Sequence, residues 1–191
     1  MRQRSINSAL SVPSAALMTA ALLSAAQAPA TPSIDDLINL KRVGSHAISP
    51  NGRYLVYVGT GQPGRQLWLR GIDQLKARPI AGTEDARHPF FSPDGAWIGF
   101  LAQNKIKKVA LAGGPPLTIT DAPTMRGATW GPGDVILFAN LNGPLLRVSA
   151  AGGAVDTVTR LDTASAETSH RWPEIMPGGR GGSRKITCFA W

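Results

Sequence analysis

A proline-centred turn occurs four times at nearly regular intervals, and this repetition constrains the fold more than any other feature of the chain. The turns read SPNG, SPDG, GPGD and MPGG, with prolines at Pro50, Pro93, Pro132 and Pro177, which are 43, 39 and 45 residues apart. In the first two turns the proline presets φ, the Asn or Asp can hydrogen-bond its own backbone, and the glycine releases the chain, as in a type I turn. The spacing indicates a repeated structural unit.

The segments around these turns predict four β-strands in each unit. After the first three turns come the apolar runs RYLVYV, AWIGFL and VILFAN. Each run leads to a second segment with strand, turn and strand character: LWLRGIDQLKARPI, IKKVALAGGPPLTI and LLRVSAAGGAVDTV. A period of about 40–45 residues with four strands is typical of a propeller blade. The sequence therefore predicts an all-β fold, a partial β-propeller of about three four-stranded blades.

A fourth unit begins at HRWPEIMPGG, but GGRGGSRKITCFAW follows where an apolar strand is expected. We therefore predict propeller repeats over 45–179, an aborted fourth blade, and a non-repeat tail over 180–191. A native irregular end and a reading frame lost near residue 180 both account for this tail, and we favour the lost frame. Blades without neighbours leave apolar faces and sheet edges open, which predicts self-association through those faces.

The N-terminal segment reads as a secretory signal peptide over residues 1–30. A positive start precedes the uncharged apolar run Ala15–Leu23, and small residues around Ala30 suit cleavage. A membrane anchor is the alternative, although the run is short of the roughly 20 apolar residues that a spanning helix needs. Residues 31–44 then predict a helical lead-in, capped by Ser33. We expect a periplasmic or secreted protein with no membrane insertion after signal removal.

The composition and motifs argue against several functions. Without the signal and the tail, the net charge of +8 falls to +3 and no basic run remains, so we expect no nucleic-acid partner. No G-x-S-x-G elbow, kinase loop or Walker lysine occurs. The histidines, His46, His88 and His170, stand at three different offsets from their turn prolines, which argues against a shared metal site. We predict no enzyme activity, no catalytic residues, no metal and no cofactor.

One candidate site recurs with the repeats. Arg87, Arg126 and Arg171 each stand six residues before a turn proline, and the first unit has glycine there. If the strand that enters this turn is innermost, the three arginines lie near one mouth of the central channel. Such a group could bind a carboxylate or an acidic peptide. Alternatively, each arginine ties its blade to the next by pairing with a turn aspartate such as Asp94 or Asp134.

Residues 33–179 resemble the β-propeller repeats of TolB-like periplasmic proteins. The segment ARHPFFSPDGAWIGFLAQNKIKKVALAGG is similar to TolB-type repeats attached to bacterial kinases, and DDLINLKRVGSHAISPNGRYLVYV is similar to the lead-in of a prolyl oligopeptidase-type propeller. The resemblance implies a non-catalytic secreted module that binds protein or peptide. The alternative is the N-terminal propeller of a secreted serine peptidase without its catalytic domain. A propeller fold by itself does not decide between them.

Overall fold

The computed structural model describes residues 44–60, 64–175 and 186–190, which lie within one compact unit, Asn39–Trp191. Strands, turns and loops make up these residues, with one short 3₁₀ turn at Thr163–Ser165 and no α-helix. No helix in this part of the chain is long and apolar enough to span a bilayer.

Two predicted segments fall wholly or almost wholly outside these ranges. The signal peptide (1–30) lies outside the described residues, as does the helical lead-in (31–44) except for Gly44. Both remain predictions.

The described residues form fourteen strands, numbered in chain order. They are β1 (His46–Ile48), β2 (Tyr54–Thr60), β3 (Arg65–Gly71), β4 (Arg78–Pro79), β5 (Arg87–Phe91), β6 (Trp97–Ala102), β7 (Lys105–Ala110), β8 (Leu117–Asp121), β9 (Ala128–Gly131), β10 (Val135–Ala139), β11 (Leu145–Ser149), β12 (Asp156–Thr157), β13 (His170–Ile175) and β14 (Ile186–Ala190). The first twelve form three four-stranded sheets, β1–β4, β5–β8 and β9–β12, in which each strand pairs antiparallel with the next. The predicted all-β class and the three four-stranded blades are confirmed.

The serine-proline turns position the first two strands of their blades in the same way. In the second blade, the Ser92 hydroxyl accepts a hydrogen bond from the Trp97 amide at 2.9 Å and donates one to the Asp94 carboxylate. In the first blade, Ser49 makes the same two bonds with the Tyr54 amide and the Asn51 side chain. The serine that precedes each proline therefore closes the hairpin between the first and second strand.

The first strands of successive sheets are neighbours: β1 contacts β5, β5 contacts β9, and β9 contacts β13. The last strands of the sheets, β4, β8 and β12, make no comparable contacts with one another among the described elements. The strand that enters the proline turn is therefore the innermost strand of its blade, which is the condition for the repeated arginines to lie near the central channel.

Two apolar clusters join the three blades. The first lies between the first and second blades and includes Val56, Val58, Leu67, Leu69, Ile98 and Phe100. The second lies between the second and third blades and includes Phe90, Ile106, Met125, Trp130, Ile136 and Phe138. Trp97 is only half-buried, and the Lys108 ammonium group lies over its indole ring, 4.7 Å from the ring centre.

The fourth unit contributes a two-stranded sheet. Sequence analysis places 180–191 outside the repeats, but five of these residues form β14, which pairs antiparallel with β13. Glu174 lies opposite Thr187 in this pairing. The rest of the predicted tail, 180–185 and Trp191, lies outside the described residues, so the proposed loss of frame stays a prediction.

Candidate functional site

The innermost strands of three units share a backbone irregularity directly after the repeated arginine. His88, Gly127 and Trp172 each follow the arginine of their unit, and each has a positive φ, of 48°, 125° and 54°. The pairing register shifts at this point in β5 and again in β13, which defines a β-bulge. A bulge redirects side chains relative to a regular strand. The arginines therefore stand at a kink where each inner strand begins.

Arg87 and Arg126 line one crevice between the second and third blades. Its volume is about 270 Å³, and its other walls include His88, Thr124 and the Gln103–Asn104 turn. Arg87 begins β5, whereas Arg126 lies in the loop that enters β9. The repeat thus brings two of the three predicted arginines together, each supplied by a different blade.

The electrostatics of this crevice are cationic. Burial lowers the pKa of His88, and the positive charges of Arg126 and Arg87 lower it further. His88 is thereby held in its neutral form near pH 7, and the charge on this wall comes from the guanidinium groups. Asp85, also on the wall, lies 3.9 Å from Arg65 and is largely exposed.

Ion pairing with turn aspartates is the alternative role for Arg87 and Arg126. Within 44–60, 64–175 and 186–190, neither residue belongs to an ion pair. Asp94 instead accepts hydrogen bonds from Ser92 and the Ala96 amide, and these bonds lower the pKa of its carboxyl group. Its carboxylate therefore stabilises its own turn.

Arg171 occupies the equivalent place one blade further along. Its Nε donates a hydrogen bond to the Leu141 carbonyl oxygen at 3.2 Å, and Leu141 belongs to the turn between β10 and β11. Arg171 does not line the crevice of Arg87 and Arg126. The three arginines are thus related by the repeat, but the structure brings only two into one cavity.

A second cavity lies where the four innermost strands converge, and we call it the axial pocket. Its volume is about 310 Å³. Its walls are Ser45, His46, His88, Pro89, Gly127, Ala128 and Trp172. The rings of His88 and Trp172 meet edge to face, with centroids 5.9 Å apart. Because His88 also lines the arginine crevice, the two cavities share a wall.

Trp172 is not among the candidate residues that the sequence repeats single out. The side chain is 44% exposed and borders the axial pocket. Trp172 stands five residues before its turn proline, as His88 does before its own, and this shared position is the sequence signal that could have identified it.

The histidines do not form a common site. His46 and His88 line the axial pocket, whereas His170 is buried elsewhere and contacts Thr159 and Glu167. No group of three or more His, Cys, Asp or Glu side chains within the described ranges could hold a metal ion.

Comparison with solved structures identifies the fold. A TolB protein from Agrobacterium tumefaciens is 23% identical over 61% of this chain and 48% of its own, with a TM-score of 0.52. TolB from Acinetobacter baumannii is 17% identical over 78% of this chain and 41% of its own, with a TM-score of 0.56. The β-propeller domain of the Trilobed protease from Pyrococcus furiosus is 15% identical over 79% and 54%, with a TM-score of 0.53.

These matches cover only about half of each similar structure. No protein-family model and no curated protein matches the chain. At identities below 25%, the likeness shows the fold and leaves the activity open. The described part of this chain is a partial β-propeller that resembles TolB.

Proposed function

We propose that this chain is a non-catalytic β-propeller module, secreted or periplasmic, that binds a protein or peptide partner through the crevice of Arg87 and Arg126. One observation carries the proposal: two guanidinium groups from different blades line one cavity, and neither is ion-paired within the described part of the chain. Guanidinium groups bind carboxylates with charge-assisted, often bidentate hydrogen bonds. The expected partner therefore presents an acidic segment to this crevice.

The experiment measures binding of a fluorescent acidic peptide, acetylated and amidated at its ends, to the full chain by anisotropy. The double variant Arg87→Gln/Arg126→Gln should weaken binding by about tenfold or more, since charge-assisted bonds are the strong ones. The control is Arg147→Gln, which removes one arginine charge from an exposed ion pair with Asp156 on the third blade. Equal affinity in the double variant and the control would contradict the proposal.

A second candidate function is supported by one comparison. The propeller domain of the Trilobed protease matches most of this chain in fold, which favours the propeller portion of a secreted serine peptidase of the prolyl oligopeptidase type. Such a portion would control access to a separate catalytic domain. Sequencing the gene beyond codon 191 in all frames separates the two candidates. A downstream G-x-S-x-G motif favours the peptidase, and further blades followed by a stop favour the binding module.

The proposed location has its own test. Export should remove about the first thirty residues, since small residues near Ala30 suit signal cleavage. Mass spectrometry of the exported chain measures the new N-terminus. A chain that keeps Met1 and sediments with membranes would favour the anchor instead.

We also propose self-association through open blade faces. Ile48 on the innermost strand of the first blade is 61% exposed, and it lies opposite Leu55, which is only half-buried. Size-exclusion chromatography over a range of concentrations should show larger species, and Ile48→Ser should reduce them. Leu75→Ser is the matched control, because Leu75 is 90% exposed but lies in a loop. A chain that elutes as a monomer at every concentration would exclude this proposal.

A further inference from the structure

The arginine crevice and the axial pocket differ in chemistry although they share His88 as a wall. Two cationic side chains line the crevice. The axial pocket has Pro89, Gly127, Ala128 and the exposed face of Trp172 among its walls. Its volume of about 310 Å³ is ample for a ring, because a cavity of about 150 Å³ can hold benzene. A cationic cavity thus adjoins one that fits an apolar ring.

The backbone at this junction has an uncommon conformation at two residues that line the axial pocket. His88 and Trp172 have φ values of 48° and 54°, a region that bulky side chains seldom adopt. Such conformations persist when the surrounding structure holds them, and they cluster at functional sites. The two strained residues come from different blades, and their rings meet edge to face in the pocket.

Gly127 makes room for the Trp172 indole. A Cβ atom at Gly127 would lie 3.0 Å from Cε3 of Trp172 and 3.1 Å from its Cα. The Trp172 amide also donates a hydrogen bond to the Arg126 carbonyl oxygen at 3.3 Å. This bond holds the backbone of Trp172 next to the backbone of Arg126, one of the two crevice arginines.

Packing between the described blades leaves much of the Trp172 side chain uncovered. An aromatic ring that serves only to join two blades is expected to be largely buried, as Trp130 is at 6% exposure. Trp172 remains 44% exposed and borders a cavity. An exposed aromatic ring beside a cavity is typical of a ligand-binding surface.

We infer that the crevice and the axial pocket form one two-part site for the free C-terminus of a peptide that ends in an aromatic residue. The terminal carboxylate lies between Arg87 and Arg126, and the terminal side chain enters the axial pocket against Trp172. A C-terminal residue carries its carboxylate and its side chain on the same Cα, which suits two cavities separated by one shared wall. The inference rests on the proposed function, since it uses the same crevice.

The test uses the full chain and three tripeptides in calorimetric titrations. Ac-Gly-Gly-Phe with a free carboxylate should bind about tenfold or more tightly than its C-terminal amide, and also than Ac-Gly-Gly-Ala with a free carboxylate. The first comparison measures the carboxylate, and the second measures the ring.

Three variants assign the ring to its pocket. Trp172→Leu should remove the preference for phenylalanine over alanine, whereas Trp172→Phe should retain most of it. Phe189→Leu is the matched control, because Phe189 is an exposed aromatic residue on β14 that lies outside both cavities. Circular dichroism melts of the variants show whether each one is folded, and the retained preference in Trp172→Phe tests the pocket even if Trp172→Leu unfolds.

The outcomes separate this inference from the proposed function. If an amidated acidic peptide binds through the arginines but the free-carboxylate phenylalanine peptide shows no advantage, the inference is overturned and the proposed function stands. If neither peptide binds, both are overturned. If the phenylalanine preference survives in Trp172→Leu, the ring does not use this pocket and the inference is overturned.

Discussion

The first and second blades contain equivalent strands whose side chains are buried to different extents. Counted from the turn proline, Leu55 and Tyr57 of β2 correspond to Ile98 and Phe100 of β6. Ile98 and Phe100 are completely buried against the first blade, whereas Leu55 and Tyr57 are only half-buried. No described sheet packs on their face of the first blade. In a repeat fold, the neighbouring unit therefore determines burial as much as the strand's own sequence does.

The largest expected effect comes from truncating one aromatic residue in each blade. Phe100→Ala should lower the free energy of unfolding by about 3–5 kcal/mol, the range for a buried phenylalanine that leaves a cavity. Tyr57→Ala should lower it by only about 1 kcal/mol, because its site already contacts solvent. Urea denaturation followed by circular dichroism measures both. Equal losses would show that the outer face of the first blade is covered in solution.

A second pair of variants adds a methyl group instead of removing a ring. A Cβ at Gly99 would lie 2.3 Å from the Phe90 ring, and a Cβ at Gly59 would lie 2.7 Å from Cδ1 of Trp68. Phe90 is buried, whereas Trp68 is half-buried and has more room to move. Gly99→Ala should cost about 1–3 kcal/mol, the usual range for overpacking, and Gly59→Ala should cost less. A larger cost at Gly59 in urea denaturation would contradict the comparison.

The repeats could be predicted because each proline turn, its flanking apolar runs and its spacing are local features of the sequence. The position of the arginines at the start of the innermost strands could also be predicted, since it follows from the repeat. The bulge could not, because His88 and Trp172 adopt positive φ values without the usual glycine or asparagine. The exposure of Trp172 depends on contacts between distant blades, which no local pattern encodes.

The serine turns provide a pair in which the two blades should behave alike. The Ser49 and Ser92 hydroxyls each accept a hydrogen bond of 2.9 Å from the amide five residues later. Because these bonds lie within one turn, the neighbouring blade should not affect them. Ser49→Ala and Ser92→Ala should each lower the free energy of unfolding by about 1 kcal/mol. A difference well above the error of urea denaturation would show that turn stability also depends on the neighbouring blade.

The smallest expected effect is a pH dependence that belongs to the second blade alone, because the first blade has the non-titrating Ser45 where the second has His88. The pKa of His88 lies below its ordinary value of 6.5, first through burial and then through the charges of Arg126 and Arg87. The unfolded chain therefore binds a proton at a pH where the folded chain does not. By linkage, the fold is most stable above pH 6.5, where His88 is mostly neutral in both states, and it loses stability as the pH falls from 6.5 through the folded pKa. His88→Asn removes the titration, and asparagine tolerates positive φ better than most residues do.

Urea denaturation between about pH 5 and pH 7.5, the range in which histidine titrates, should show a smaller loss of stability on acidification in His88→Asn than in the unaltered chain. The same pH dependence in both proteins would mean that His88 titrates as it does in the unfolded chain, and that the crevice arginines do not act on its charge.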